Sequence, residues 1–379
     1  MDLRPAEPRD LDQIGALLTE RGEPEDALDH RLVVQDPDEG WSSCAVVVDG
    51  DRIVSTLTLL DETLVLGGVR IPAGQVELVA TDREYEGRGL VRRLMAWAHQ
   101  RSTDLGHLAQ VMIGIPYFYR RFGYAYAIPI PPTRKVVLAP PPVAGHVVRR
   151  AGPADIAAMA AVQDGLQAEL DLRMPHSPAC WRWLVAREGS TQWVVERDGA
   201  VVAVGRLTDS HLTELAGVDA AAEQALLNHV VGLVEGVEVT DRLGNRLGRF
   251  LGPLPEDAEM YYARLPDTAA VLDRLRPLLS RRAAGYDGEV VVSFFGSHVR
   301  FHCANGEAGP MTTGGPMQGP ASVGGAGVAP DLVPSLLFGP HGIEGLARLH
   351  PDVYPGPNRK LMAALFPPVR ADLLTYYVP

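Results

Sequence analysis

Apolar and polar positions along the chain alternate with the period of a strand in some stretches and the period of a helix in others. Residues 3–6 predict a first strand, and Pro8-Arg9-Asp10 opens a helix running through Leu17. Residues 45–48 and 52–60 flank Asp49-Gly50-Asp51, a turn sequence that predicts a hairpin. A short strand pair at 64–66 and 69–71 leads to an apolar, β-branched run over 76–81. A charged turn follows, the spacing over 90–101 is helical, and 108–113 predicts a buried strand.

Residues 129–142, with repeated prolines, read as a linker holding one strand at 135–138. Beyond it the order begins again. A strand at 146–150, a helix opened by Pro153-Ala154-Asp155, a hairpin over 192–196 and 201–207, a strand at 213–218 and a helix at 221–234 repeat the first layout. From Pro266 the pattern changes: helical spacing over 268–279, strands at 288–295 and 299–303, and short helices at 331–337, 343–348 and 358–365. The Gly- and Pro-rich stretch 305–330 reads as a loop that is mobile or binds something, mobility being favoured. The expected division is 1–143, 144–265 and 266–379, each part a mixed α/β (α+β) unit.

The strand, turn and helix over 74–95 form an anion-binding device. Gly87 and Gly89 permit a tight turn and close backbone approach, and the first free N–H groups of the following helix point outward with the positive end of its dipole. A pyrophosphate fits such a nest. In the second repeat the corresponding turn, Asp219-Ala220-Ala221-Ala222-Glu223, has no glycine and carries two carboxylates, which repel a pyrophosphate.

Glu86-Gly87-Arg88-Gly89-Leu90-Val91 resembles motif A of the GNAT superfamily of acetyl-CoA-dependent N-acetyltransferases, (Gln/Arg)-x-x-Gly-x-(Gly/Ala). Glu86 stands where Gln or Arg is usual, and Val91 where a small residue is usual. Tyr119-Arg120-Arg121-Phe122-Gly123-Tyr124 resembles the family's later Tyr-x-x-x-Gly-(Phe/Tyr) segment, in the right order after motif A. Two such units followed by a sterol-carrier-like α+β domain resemble the enhanced intracellular survival family of bacterial acetyltransferases, whose members acetylate amines, including positions of aminoglycosides, and form homo-oligomers, commonly hexamers. The resemblance thus implies a catalytic GNAT domain, a degenerate second GNAT domain that binds no coenzyme, and a homo-oligomer of hexameric or smaller size.

The resemblance also assigns residues. The backbone of Val79, Ala80 and Thr81 would pair with the pantetheine arm of acetyl-CoA like an added strand. Gly87, Arg88, Gly89, Leu90, Val91 and Arg92 would hold its pyrophosphate, and Gly114 and Ile115 form the second coenzyme-contact segment. Tyr119 sits at the family's acid position, where a phenol donates to or shares a proton with the leaving thiolate. The base stays open between the terminal carboxylate of Pro379, which the resemblance implies, Glu77, which by strand parity faces with Val79, and a water relay.

Composition bounds these readings. With 47 acidic and 35 basic residues the net charge is −12, which argues against a general nucleic-acid binder and is compatible equally with a cationic small molecule and with acidity that only maintains solubility. Cys44, Cys180 and Cys303 lie far apart without metal-ligand spacing, and His99, His107, His298 and His302 show none, so neither a disulfide framework nor a metal site is expected. Cys180-Trp181-Arg182-Trp183 reads as a packing segment of a helix. The charged first residues and the lack of a long apolar run predict a cytoplasmic protein without a membrane partner. The expected activity is transfer of an acetyl group to a primary amine of a small molecule. Acylation of a biosynthetic intermediate, and a non-catalytic ligand-binding protein of the same fold, are the alternatives.

Overall fold

The computed structural model describes residues 1–374, so Pro379 lies outside the described residues. The first sheet starts with β1 (Asp2–Pro5), β2 (Cys44–Asp49), β3 (Arg52–Leu66) and β4 (Val69–Thr81), each antiparallel to the next. The short pair expected at 64–71 is the tip of one long β3–β4 hairpin, turned by Gly67 and Gly68 at positive φ. β5 (Ala109–Met112) adds parallel to β4, and β6 (Ala125–Pro129) lies toward the far edge.

A second sheet is built from β7 (Thr133–Lys135) and β8 (Val147–Arg150) at its edges. The chain sends β9 (Leu172–Met174) back to β3, then fills the second sheet with β10 (Thr191–Arg197), β11 (Ala200–Thr208), β12 (His211–Gly217) and β13 (Glu238–Thr240). β14 (Met260–Arg264) returns to the first sheet, inserted antiparallel between β5 and β6. The third sheet comprises β15 (Gly288–Ser293), β16 (His298–Ala304), β17 (Glu307–Ala308), β18 (Thr312–Gly314), β19 (Ala326–Val328) and β20 (Val353–Tyr354). The Gly- and Pro-rich stretch thus contributes β17, β18 and β19 to a sheet. Finally β21 (Ala371–Leu373) pairs parallel to β9, so among the described residues the first sheet has nine strands. All three sheets mix parallel and antiparallel pairs, the α/β class expected.

Helices cover the sheets by their apolar stripes. α1 (Leu11–Arg21) buries Ile14, Leu17 and Leu18 against the face of β4 that carries Leu78 and Ala80. α2 (Pro24–Gln35) follows at once, with Pro24 in its first turn after Glu23. α3 (Leu90–Asp104) buries Leu90, Leu94, Met95 and Ala98 on the opposite face, with Val76 and Val79. α4 (Ile156–Gln167), α5 (Pro178–Ala186) and α6 (Ala220–Leu233) serve the second sheet, and Cys180, Trp181 and Trp183 of α5 are buried in its packing. The helix expected over 268–279 is two, α7 (Thr268–Arg274) and α8 (Arg276–Arg282): Pro277 has no N–H to continue the ladder. The largest core joins the third sheet to the first, with Leu64, Ile71, Val111 and Tyr261 packed with Val290, Phe301 and Leu336. No helix among the described residues is long and apolar enough to cross a membrane.

Candidate active site

The site begins as a defect in β4. Thr56 pairs with Ala80 and Thr58 with Glu77, so two residues of β4 face one of β3, and Leu78 takes φ +52°. The bulge consumes one residue of the alternation. Val76 and Val79, three apart, share the α3 face, whereas Leu78 and Ala80 share the α1 face. The parity that would set Glu77 beside Val79 is therefore broken, and Glu77 reaches a cavity on the α1–α2 side instead. β4 and β5 pair only from Ala73 to Gln75 and Ala109 to Val111; beyond that point the strands no longer pair. Two cavities open along this unpaired stretch, of about 420 and 490 Å³. Val79, Ala80, Ile115, Tyr119 and Arg21 line both.

The larger cavity runs to the start of α3. Gly87 and Gly89 stand at φ +72° and +75°, where a Cβ would be strained although the space beside each is open. Thr81, Gly87, Gly89, Leu90, Val91 and Arg92 line it, together with Arg121, which the sequence reading did not single out. The Arg88 side chain is absorbed elsewhere: it donates to the Glu84 carbonyl at 2.8 Å and stacks over Tyr85. Glu86, at the mouth, pairs with Arg21. Free helix N–H groups, an approachable backbone and cationic side chains suit a phosphate-bearing acyl donor.

The smaller cavity holds the candidate acid and base. Tyr119 lies in a short 3-10 turn, Phe118–Phe122, and is only 5% exposed. Its ring meets Phe118, Phe122, Tyr124 and Tyr262 at centroid distances of 5.0–6.4 Å. Burial, with Glu77 and Tyr262 nearby, raises its pKa well above that of a free phenol. Glu77 is buried, accepts a hydrogen bond from Gln75 Nε2, and is pushed up to about 8, chiefly by burial and further by Asp26 and Asp29. Gly114 and Ile115 line this cavity as well, and Ile115 accepts at its carbonyl from the Tyr262 hydroxyl at 3.3 Å. β14 thus braces the turn that carries Tyr119.

Residues 2–127 match the family described as acetyltransferase (GNAT) domain. Those residues form a GNAT acetyltransferase domain. No curated protein matches the sequence significantly. Among solved structures, a GCN5-related N-acetyltransferase from Anabaena variabilis is 14% identical over 99% of this chain and 100% of its own, with a TM-score of 0.72. Eis1 from Mycobacterium abscessus is 17% identical over 99% and 100%, with a TM-score of 0.66. The N-myristoyltransferase of Saccharomyces cerevisiae, solved with myristoyl-CoA, is 11% identical over 70% and 78%, with a TM-score of 0.53. At these identities the likeness is one of fold.

The smaller cavity draws its lining from more of the chain than the motifs reveal. Glu23, Glu25 and Asp26 of the α1–α2 corner line it, and so do Arg187 and Arg206 from the second repeat. None of these was singled out in the sequence; the signals that could have found them are a helix start in Glu23-Pro24-Glu25-Asp26 and Arg206 as a charge inside an otherwise apolar strand. The second repeat reproduces the bulge, with Glu214 at φ +54° on β12. Its helix start is closed by the protein itself: Asp219 accepts from Ala222 N at 2.9 Å, and the buried Glu223 pairs with Arg246. Among the described residues no cluster of His, Cys, Asp and Glu is arranged to hold a metal.

Proposed function

We propose that the protein is an acetyl-CoA-dependent N-acetyltransferase acting on a primary amine of a small molecule, the aminoglycoside class included. The observation that carries this reading is the junction at Tyr119, Val79, Ala80 and Ile115, which line both the cavity at the α3 N-terminus and the cavity holding Glu77. Acetyl-CoA, when bound, supplies the thioester that an amine attacks. Gly87, Gly89 and Arg92 would hold its phosphates and the bulged β4 backbone its pantetheine arm. An N–H of the bulge would also steady the oxyanion that develops during attack.

Glu77 takes the proton from the incoming ammonium. A carboxylate raised to about 8 accepts a proton far better than an exposed one. Tyr119, kept as a neutral phenol by its burial, donates a hydrogen bond to the departing sulfur without bringing a competing charge. Coenzyme A release from acetyl-CoA, measured for wild type and Tyr119→Phe across aminoglycosides, polyamines and arylalkylamines, tests the reading. Turnover that falls sharply in the variant is expected; acetyl-CoA binding without turnover on any amine would refute it.

A further inference from the structure

Three guanidinium groups line the acceptor cavity, and they differ in how they are held. Arg187 forks onto Asp29 at 2.8 and 2.9 Å, and Arg21 pairs with Glu86. Arg206 is only 2% exposed; its Nη2 donates to Glu214 Oε1 at 3.2 Å, while its buried Nε has no hydrogen-bond partner among the described residues. A buried charged N–H left without an acceptor is costly, and native structures seldom keep one without a use.

A bulge lies beside this group. Pairing between β11 and β12 slips between Val204 and Arg206, opposite the left-handed Glu214, so the second repeat spends its bulge on an arginine and a glutamate. His176 Nε2 lies 3.1 Å from the same Glu214 oxygen that Arg206 contacts. The cavity therefore offers carboxylates, Glu77 and Asp26, toward an ammonium, and one guanidinium with an unused donor.

Resting on the amine-acetylation reading above, we propose that Arg206 binds a carboxylate carried by the acceptor, so that among small amines the site prefers amine-bearing carboxylic acids of amino-acid size to polycations such as aminoglycosides. A guanidinium that lines the cavity donates parallel N–H bonds to a carboxylate, which neither an ester nor a simple amine can accept as a charged pair. A polyamine would instead bring a second cation to Arg206.

The test uses the full chain with the common amino acids, their methyl esters and the matching decarboxylated amines. Binding is followed by calorimetry and transfer by coenzyme A release. The free acids are expected to bind and react at least tenfold better than their esters and amines, and Arg206→Gln to bring that ratio to about one. Because Arg206→Gln strands Glu214, the double variant Arg206→Gln/Glu214→Gln, checked for a native circular dichroism spectrum, must lose the ratio as well. Equal binding of acids and esters by wild type, a ratio that survives in both variants, or no binding of any acid overturns the proposal, whether or not other amines are acetylated. Acid-selective binding that depends on Arg206 without coenzyme A release upholds it and refutes acetyl transfer.

Discussion

The Tyr119 ring occupies the space where a side chain at position 114 would stand: a Cβ built on Gly114 falls 2.4 Å from Tyr119 Cε2 and 2.7 Å from Cδ2. Glycine is required there by close approach, since its φ lies outside the left-handed region. Gly114→Ala must push the phenol off its position. An activity loss of about tenfold or more, carried by kcat with the amine KM little changed, is expected for a misplaced catalytic group. Steady-state kinetics check it, and an unchanged kcat would show that the ring position is immaterial.

Tyr119→Phe removes the donor and leaves the ring contacts. A fall in kcat of about a hundredfold is expected, within the usual range for a lost proton donor, with Tm nearly unchanged. A comparable fall in Tm would mark Tyr119 as a packing residue instead.

Glu86 places a carboxylate at the mouth of the nest that Gly87 and Gly89 form, restrained by Arg21. Glu86→Gln removes a like charge from the approach of a phosphate. The acetyl-CoA KM should fall roughly two- to fivefold at low ionic strength, and the gain should shrink as salt screens it. A KM that rises would mean that the Arg21 pairing itself shapes the site.

What could be read from the sequence was the local chemistry. The glycine turn before α3 and the Tyr119 segment are set by neighbours in the chain, so their motifs survive without knowledge of the fold. The bulge at Leu78 is not local: it depends on how β3 aligns with β4, and strand parity therefore put Glu77 on the wrong face while naming a residue that does line the cavity. Arg206 enters that cavity only because the two repeats meet there, and β14 reaches the first sheet from a segment far along the chain, with no motif to announce it.

A buried fork fastens the last described strand. Arg242 donates to Asp372 at 3.0 and 2.6 Å, with both residues under 5% exposed, and Gln163 and Gln167 complete the network. Asp372→Ala would leave Arg242 charged and unpaired in the interior, a change that costs about 3–5 kcal/mol. Chemical denaturation should show that loss, and a loss under 1 kcal/mol would mean that water reaches the guanidinium.

Glu77 gives the protein a pH dependence whose sign can be stated. Its folded value, about 8, lies above the ordinary 4.5, so between these pH values the folded chain binds a proton that the unfolded chain has released. Stability from this group is fully present below about pH 4.5 and is lost as pH rises through about 8. The shift amounts to a few kcal/mol, at about 1.4 kcal/mol per pH unit. Glu77→Gln removes the titration, so the variant should gain stability relative to wild type as pH rises from 5 to 9. The same group as base predicts the opposite trend in rate. Only the ionised carboxylate accepts the ammonium proton, so wild-type kcat/KM climbs with pH and levels off above about 8. The acceptor's own titration is common to both proteins and cancels in their ratio. A wild-type to Glu77→Gln rate ratio that stays flat from pH 6 to 9, while the stability difference follows its expected course, would leave Glu77 a buried acid and assign the base elsewhere.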